Sequence, residues 1–179
     1  MHWLKSSSFF FFTSAFLLVL ESSPRLAFAA GEVDSALKGT WKSICMDLGS
    51  STYIVTTATF DGAGNSNDKV VFYKDAACSA PTGLVKTNSK VAYSIGPRMG
   101  QQGDLDLYPI DVTIQSSALS QNGSVIKSGG PLPKQYDVLA IKGDTLYLSA
   151  LDRNASGPIT SPIDRPTKVD TKNIFTRQK

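Results

Sequence analysis

Beyond residue 30 the chain is cut into short stretches rich in Val, Ile, Thr, Tyr and Phe. Clusters of Gly, Asn, Asp and Pro separate them, and apolar residues hardly ever recur at helical spacing. Stretches of this kind form strands, and the pattern predicts eight, over residues 40–47, 52–60, 69–74, 85–95, 105–115, 135–142, 145–151 and 173–177. Only 32–39 reads as a turn of helix, with Asp34 as N-cap and Gly39 as terminator. Gly143-Asp144 is spaced as a two-residue hairpin turn, and Asp61-Gly62 can reverse the chain within the polar loop 60–68, so neighbouring strands are expected to be antiparallel. With no helices to cover a sheet, eight strands can hide an apolar face by curling into a barrel or by stacking as two sheets. The hairpin-like connections favour an all-β, antiparallel barrel of about eight strands behind an N-terminal helical turn, with a β-sandwich as the alternative.

Alternation assigns the faces. Ile54, Thr56, Ala58 and Phe60 share one side of "TYIVTTATF", and Leu146, Leu148 and Ala150 share one side of "DTLYLSALD". Pro109 interrupts "DLDLYPIDVTI": Leu105 and Leu107 fall on one parity and Ile110, Val112 and Ile114 on the other, which predicts a bulge at the proline. Residues 116–134 and 152–170 read as long surface excursions, and "GPRMGQQGD", 96–104, reads as a mobile loop.

The first 29 residues stand apart. Lys5, an apolar run from Phe9 to Leu20, and small residues at Ala27 and Ala29 make a secretory signal peptide with cleavage after Ala29. The run is about a dozen residues, short of the roughly twenty that span a bilayer. Residues 30–179 are then a single domain, expected to be secreted or periplasmic. In an oxidising compartment Cys45 and Cys78, the only two cysteines, are expected to form a disulfide. Asn122-Gly123-Ser124 and Asn154-Ala155-Ser156 fit the glycosylation sequon.

Composition excludes several chemistries. The net charge is +3, falling to +2 once Lys5, Arg25 and Glu21 leave with the leader, and the basic residues are scattered singly, with no track for nucleic acid. The single histidine, His2, lies in the leader, so the mature chain has no imidazole for a triad or a metal. Bridged cysteines leave no thiolate nucleophile or zinc ligand. No catalytic residue, metal or cofactor is therefore assigned. Carboxylates at Asp104, Asp106 and Asp111 are the remaining enzymatic option, read first as a solvated strand edge. The loop holding Asp61, Asn65, Asn67 and Asp68 lacks the spacing of a calcium loop.

Two motif sets resemble known families. Gly39-x-Trp41, following a turn of helix and opening the first strand, is similar to the start of lipocalin and calycin barrels. That likeness implies that an arginine of the last strand packs over Trp41 and closes the barrel end; Arg177 is the best-placed match and Arg165 the fallback. Trp41-x-x-x-Cys45, the strand from Tyr53 to Phe60, and Phe72, Tyr73, Asp75, Cys78 and Pro81 of "FYKDAACSAP" resemble the ectodomains of the adenomatosis polyposis coli down-regulated family of Wnt inhibitors. Those are lipocalin-like barrels with an equivalent early disulfide. A late pattern, Gly143 to Leu148 with Asp152, Arg165-Pro166, Asp170, Phe175 and Gln178, resembles bacterial secreted proteins of unassigned role. The Wnt inhibitors carry two such modules and an anchor whereas this sequence reads as one module, so Wnt binding is not carried over. The resemblance implies a lipocalin-like fold, an extracytoplasmic setting and a capacity for lipids or other apolar molecules.

The expected activity is non-catalytic binding, of a small apolar or amphipathic ligand in a barrel mouth or of an envelope or extracellular protein partner through the long loops. Tyr53, Phe60, Phe72, Tyr93, Tyr108 and Tyr136 are the candidate ligand contacts, because tyrosine combines an apolar face with a hydroxyl. A cell-envelope interaction or structural protein with a filled barrel is the alternative, and a carboxylate-dependent enzyme the third.

Overall fold

The computed structural model describes residues 30–149 and 158–179. Residues 1–29, expected to be a leader, and the Asn154 sequon lie outside them. A short helix, α1 (Ala30–Leu37), precedes strands β1 (Gly39–Ser43), β2 (Met46–Gly49), β3 (Thr52–Phe60), β4 (Asn65–Tyr73), β5 (Pro81–Ile95) and β6 (Gly100–Gln102). Then follow β7 (Leu105–Gln121), β8 (Ser124–Gly129), β9 (Gln135–Lys142), β10 (Thr145–Leu148) and β11 (Phe175–Arg177), with one 3-10 turn at Pro162–Asp164. Eight strands run in the order β1-β11-β10-β9-β7-β5-β4-β3, and β3 pairs back onto β1 through Gly39↔Phe60 and Trp41↔Ala58. The sheet is thus a closed antiparallel barrel of lipocalin-like form, and the sandwich is set aside. Closure leaves no free edge around the ring.

β2 prolongs the path of β1 along β3, and the chain breaks between them at Ile44 and Cys45. That break is where the disulfide attaches: Cys45 is bonded to Cys78, with Cα atoms 5.8 Å apart, tying β1–β2 to the loop between β4 and β5. The Asp75 carboxylate organises the loop by accepting the backbone N–H groups of Ala77, Ser79 and Ala80. These bonds hold its carboxyl below the ordinary carboxylate value.

Three local expectations give way. Asp34 does not cap α1, which begins at Ala30; Asp34 lies inside the helix and its carbonyl accepts the Lys38 N–H. The stretch 116–134 is not simply a loop, because β7 continues to Gln121 and folds back as β8 through Asn122-Gly123. Both turn residues have positive φ, 49° and 85°, the backbone that Asn-Gly adopts readily in a hairpin turn. Within 96–104, Gly100–Gln102 pairs with the start of β7.

The expected bulge at Pro109 is also absent, and the reason shapes the whole molecule. The β7–β9 register runs unbroken from Tyr108↔Leu139 through Pro109↔Val138 to Ile110↔Asp137. The parity of the apolar residues changes because both faces of this wall are buried. Tyr108, Ile110, Leu139 and Leu146 face the barrel interior, whereas Leu105, Leu107, Val138 and Ala140 face outward into a second cluster with Val169 and Tyr147. β6 and the C-terminal stretch 158–170 cover that outer cluster. The Gln102 side chain accepts the Val169 N–H at 2.8 Å and donates to its carbonyl at 3.1 Å, as a neighbouring strand would. Arg165 completes the fastening, donating to the Asp137 and Ile110 carbonyls at 2.7 and 3.1 Å and pairing with Asp111 at 2.5 Å.

Candidate functional site

One end of the barrel is plugged. Leu37 and Trp41 are wholly buried, and Val33 joins them from α1. An eight-residue helix is marginal alone, so side chains from β1 and β11 hold it. The Trp41 indole N–H donates to the Leu37 carbonyl at 2.6 Å, and the Arg177 guanidinium lies 4.2 Å over the Trp41 ring. Arg177 also donates to the Lys38 and Ala36 carbonyls, satisfying groups that the helix C-terminus leaves unpaired. Arg165, by contrast, sits on the outer wall beneath the C-terminal stretch.

Away from the plug, the interior opens into a cavity of about 540 Å³. Its apolar wall includes Met46, Ile54, Val70, Val91, Val112, Ile114, Leu148 and Phe175, all from barrel strands except Met46 of β2. Leu132 and Pro133, and Pro158 of the C-terminal stretch, also line it. Such a volume lies in the range of small-molecule pockets, roughly 300–1,000 Å³.

Polar groups interrupt this apolar wall at two places. On β4 and β5, Asp68 and Asn88 are cross-strand partners, and the Asn88 amide donates to Asp68 Oδ2 at 3.1 Å. Burial raises the Asp68 carboxyl above its ordinary value of 3.8, against the Asn88 hydrogen bond and the attraction of nearby Lys86. Asp68 Oδ1 and Asn88 Oδ1 are buried with no hydrogen-bond partner among the described residues. On β9, Asp137 shares the inward parity of Leu139 and Ile141; burial raises its carboxyl too, opposed by hydrogen bonds from Ser149 and from the Val138 N–H at 2.6 Å. Asp170 and Asn173 lie on the same side, with Asn173 donating to Asp170 at 2.6 Å.

The six aromatic candidates distribute differently. Phe60 and Tyr93 stack edge-to-face at the plugged end, with centroids 5.3 Å apart. Tyr108 is buried there beside Val33 and Ala36 of α1. Phe72 faces inward opposite Ile54 and packs on the core. Tyr53 pairs with Tyr73 on the outward parity, and Tyr136 lies outside under the Arg165 guanidinium at 5.2 Å. None of the six is among the described residues that line the large cavity. The surface carboxylates are paired instead: Asp104 with Lys142, Asp106 with Arg98 at 2.8 Å, and Asp111 with Lys134 and Arg165.

Residues 60–68 read as a polar loop that includes Asp68, whereas β4 begins at Asn65, and this hides the cavity's polar pair from the local sequence pattern. The signal was present: Asp68 has the parity of Val70 and Phe72 in "NSNDKVVFY", and Asp137 that of Leu139 and Ile141 in "QYDVLAIK". A carboxylate on the apolar parity of a strand marks an inward-facing charge. Among the described residues no three His, Cys, Asp or Glu side chains gather as metal ligands, and no helix is long and apolar enough to cross a membrane. No protein-family model matches the chain, and no curated protein matches it.

Proposed function

We propose that this chain is a secreted or periplasmic, non-catalytic binding protein that holds a small apolar or amphipathic molecule in the barrel cavity. The observation that carries this reading is the division of the interior into a sealed half, filled by Trp41, Leu37, Phe60 and Tyr93, and an open half of about 540 Å³ with an apolar wall. An eight-stranded barrel interior is either filled by side chains or wide enough for one small ligand, and the open half favours the second. The disulfide between Cys45 and Cys78 and the leader-like residues 1–29 support an extracytoplasmic setting. The resemblance to the adenomatosis polyposis coli down-regulated ectodomains and to bacterial secreted proteins supports the same choice.

Native mass spectrometry of protein purified from its own source tests the reading, together with titration of the neutral fluorophore N-phenylnaphthylamine. The expected result is a co-purifying small molecule or saturable fluorescence, lost in Ile114→Trp, which fills the cavity from β7. If the native protein carries nothing and the fluorophore does not saturate, the binding reading fails.

A second reading has one observation in its favour. The β7–β8 hairpin holds Val125 and Ile126 at 63% and 58% exposure, apolar side chains that a protein partner could cover. Loss of partner capture in Val125→Ser/Ile126→Ser, with fluorophore binding intact, would favour that role.

A further inference from the structure

We propose that the cavity's ligand is an amphipathic amine, its ammonium group seated between Asp68 and Asn88 and its apolar body along the wall made by Ile54, Val70 and Ile114. The inference rests on the binding reading above and names the chemistry of that same cavity. Asn88 is 5% exposed and lines the cavity, and its Oδ1 has no partner among the described residues. Asp68 Oδ1, across the β4–β5 ladder, is in the same condition. Buried acceptors without donors are costly, and a buried carboxylate more so, unless a donor or cation arrives. Both Oδ1 atoms carry less than 1 Å² of accessible surface, so the ammonium meets them once the Asp68 and Asn88 side chains turn toward the cavity that both residues line; two acceptors on cross-strand partners, one of them a carboxylate, then suit its several N–H donors. A ligand carboxylate would meet them with repulsion.

The other charges of the cavity agree. Its described wall carries three carboxylates, Asp68, Asp137 and Asp170, and one cation, Lys86. Asp137 and Asp170 are engaged by Ser149 and by Asn173 and Lys172, which leaves Asp68 as the carboxylate with an unused oxygen. Lys86 lies on the same wall as Asn88 and attracts Asp68, yet forms no ion pair with it within 4 Å. It is only half-buried, so its ammonium can keep its water at the end of a flexible stem. Asp68 Oδ1 and Asn88 Oδ1 are cut off from water.

Three probes with the same tail and different heads test the proposal: octylamine, octanol and octanoate, each displacing N-phenylnaphthylamine from the full mature chain at neutral pH. Octylamine is expected to bind about ten- to a hundred-fold more tightly than octanol, the yield of one charge-assisted hydrogen bond. Octanoate should be the weakest. Asp68→Asn should remove the preference for the amine over octanol. Equal binding of all three probes, or preference for octanoate, overturns the amine assignment but leaves the cavity reading standing. Failure of all three, with no saturable fluorophore signal, removes both. Should Asp68→Asn fold poorly, the ranking of the three probes on the unaltered protein decides the matter.

Discussion

Arg177 of the last strand lies over the ring of Trp41 in the first, 4.2 Å from its centroid, while its two terminal nitrogens donate to the carbonyls of Lys38 and Ala36. One guanidinium thereby joins the chain's two ends to the plug helix. A flat, always-charged fork can stack on an indole and serve two acceptors at once; an ammonium cannot.

Arg177→Lys should therefore destabilise the barrel despite conserving charge, by about 1–2 kcal/mol in chemical denaturation, and Arg177→Ala by somewhat more. The Asp144 contact at 3.3 Å is exposed and adds little. In a double-mutant cycle with Trp41→Phe, a coupling indistinguishable from zero would show that the stacking contributes nothing.

The Cys45–Cys78 bridge closes a loop of 33 residues that contains the whole β3–β4 hairpin. In the chain-entropy model it stabilises the fold by about 3–4 kcal/mol. Reductant, or Cys45→Ala/Cys78→Ala, should lower the melting temperature accordingly, and an unchanged midpoint would contradict the model.

Asp68 gives stability a pH dependence opposite to the usual carboxylate. Its folded-state value is raised above 3.8, so the folded chain holds the proton more firmly than the unfolded one. The associated stabilisation is complete below 3.8 and disappears as pH rises through the raised value. Asp137, raised by the same cause, acts in the same direction. Asp111 and Asp170, whose carboxyls are lowered, lose stability as pH falls below 3.8. Relative to the native chain, Asp68→Asn should thus lose less stability between acid and neutral pH and should melt higher at neutral pH. Parallel melting curves across that range would count against a buried, raised carboxyl.

Arg165 fastens the C-terminal stretch to the outer wall through two backbone carbonyls, Asp111 and the face of Tyr136. Arg165→Ala should cost about 1–3 kcal/mol. It should also speed amide exchange at Val169 and in 161–165, with β3 and β4 unaffected. Uniform acceleration across the barrel would show that the stretch is not a separately opening unit.

Much of the architecture was legible because strand signals are local. β-branched and aromatic stretches between turn residues located all eight barrel strands, and Gly143-Asp144 makes the β9–β10 turn, where Lys142 pairs with Thr145. The closing pair β1–β11 was not readable in this way, since β11 is three residues long and its pairing with β1 joins positions more than a hundred residues apart. Pro109 shows the limit most plainly. Parity there recorded burial on two faces, and a single-face reading turned that into a bulge.

The sequence by itself determined that this chain would be β-structure, antiparallel and bridged at Cys45 and Cys78, because strand propensity, turn chemistry and the count of two cysteines act over short range or allow one pairing. Only the tertiary structure decided which side chains enclose the cavity. The same alternation places Phe60 in the plug, Val70 on the cavity wall and Leu105 beneath the C-terminal stretch. What separates them is how far along the barrel axis each lies and what covers the far side of its strand, quantities that exist only once distant strands have paired.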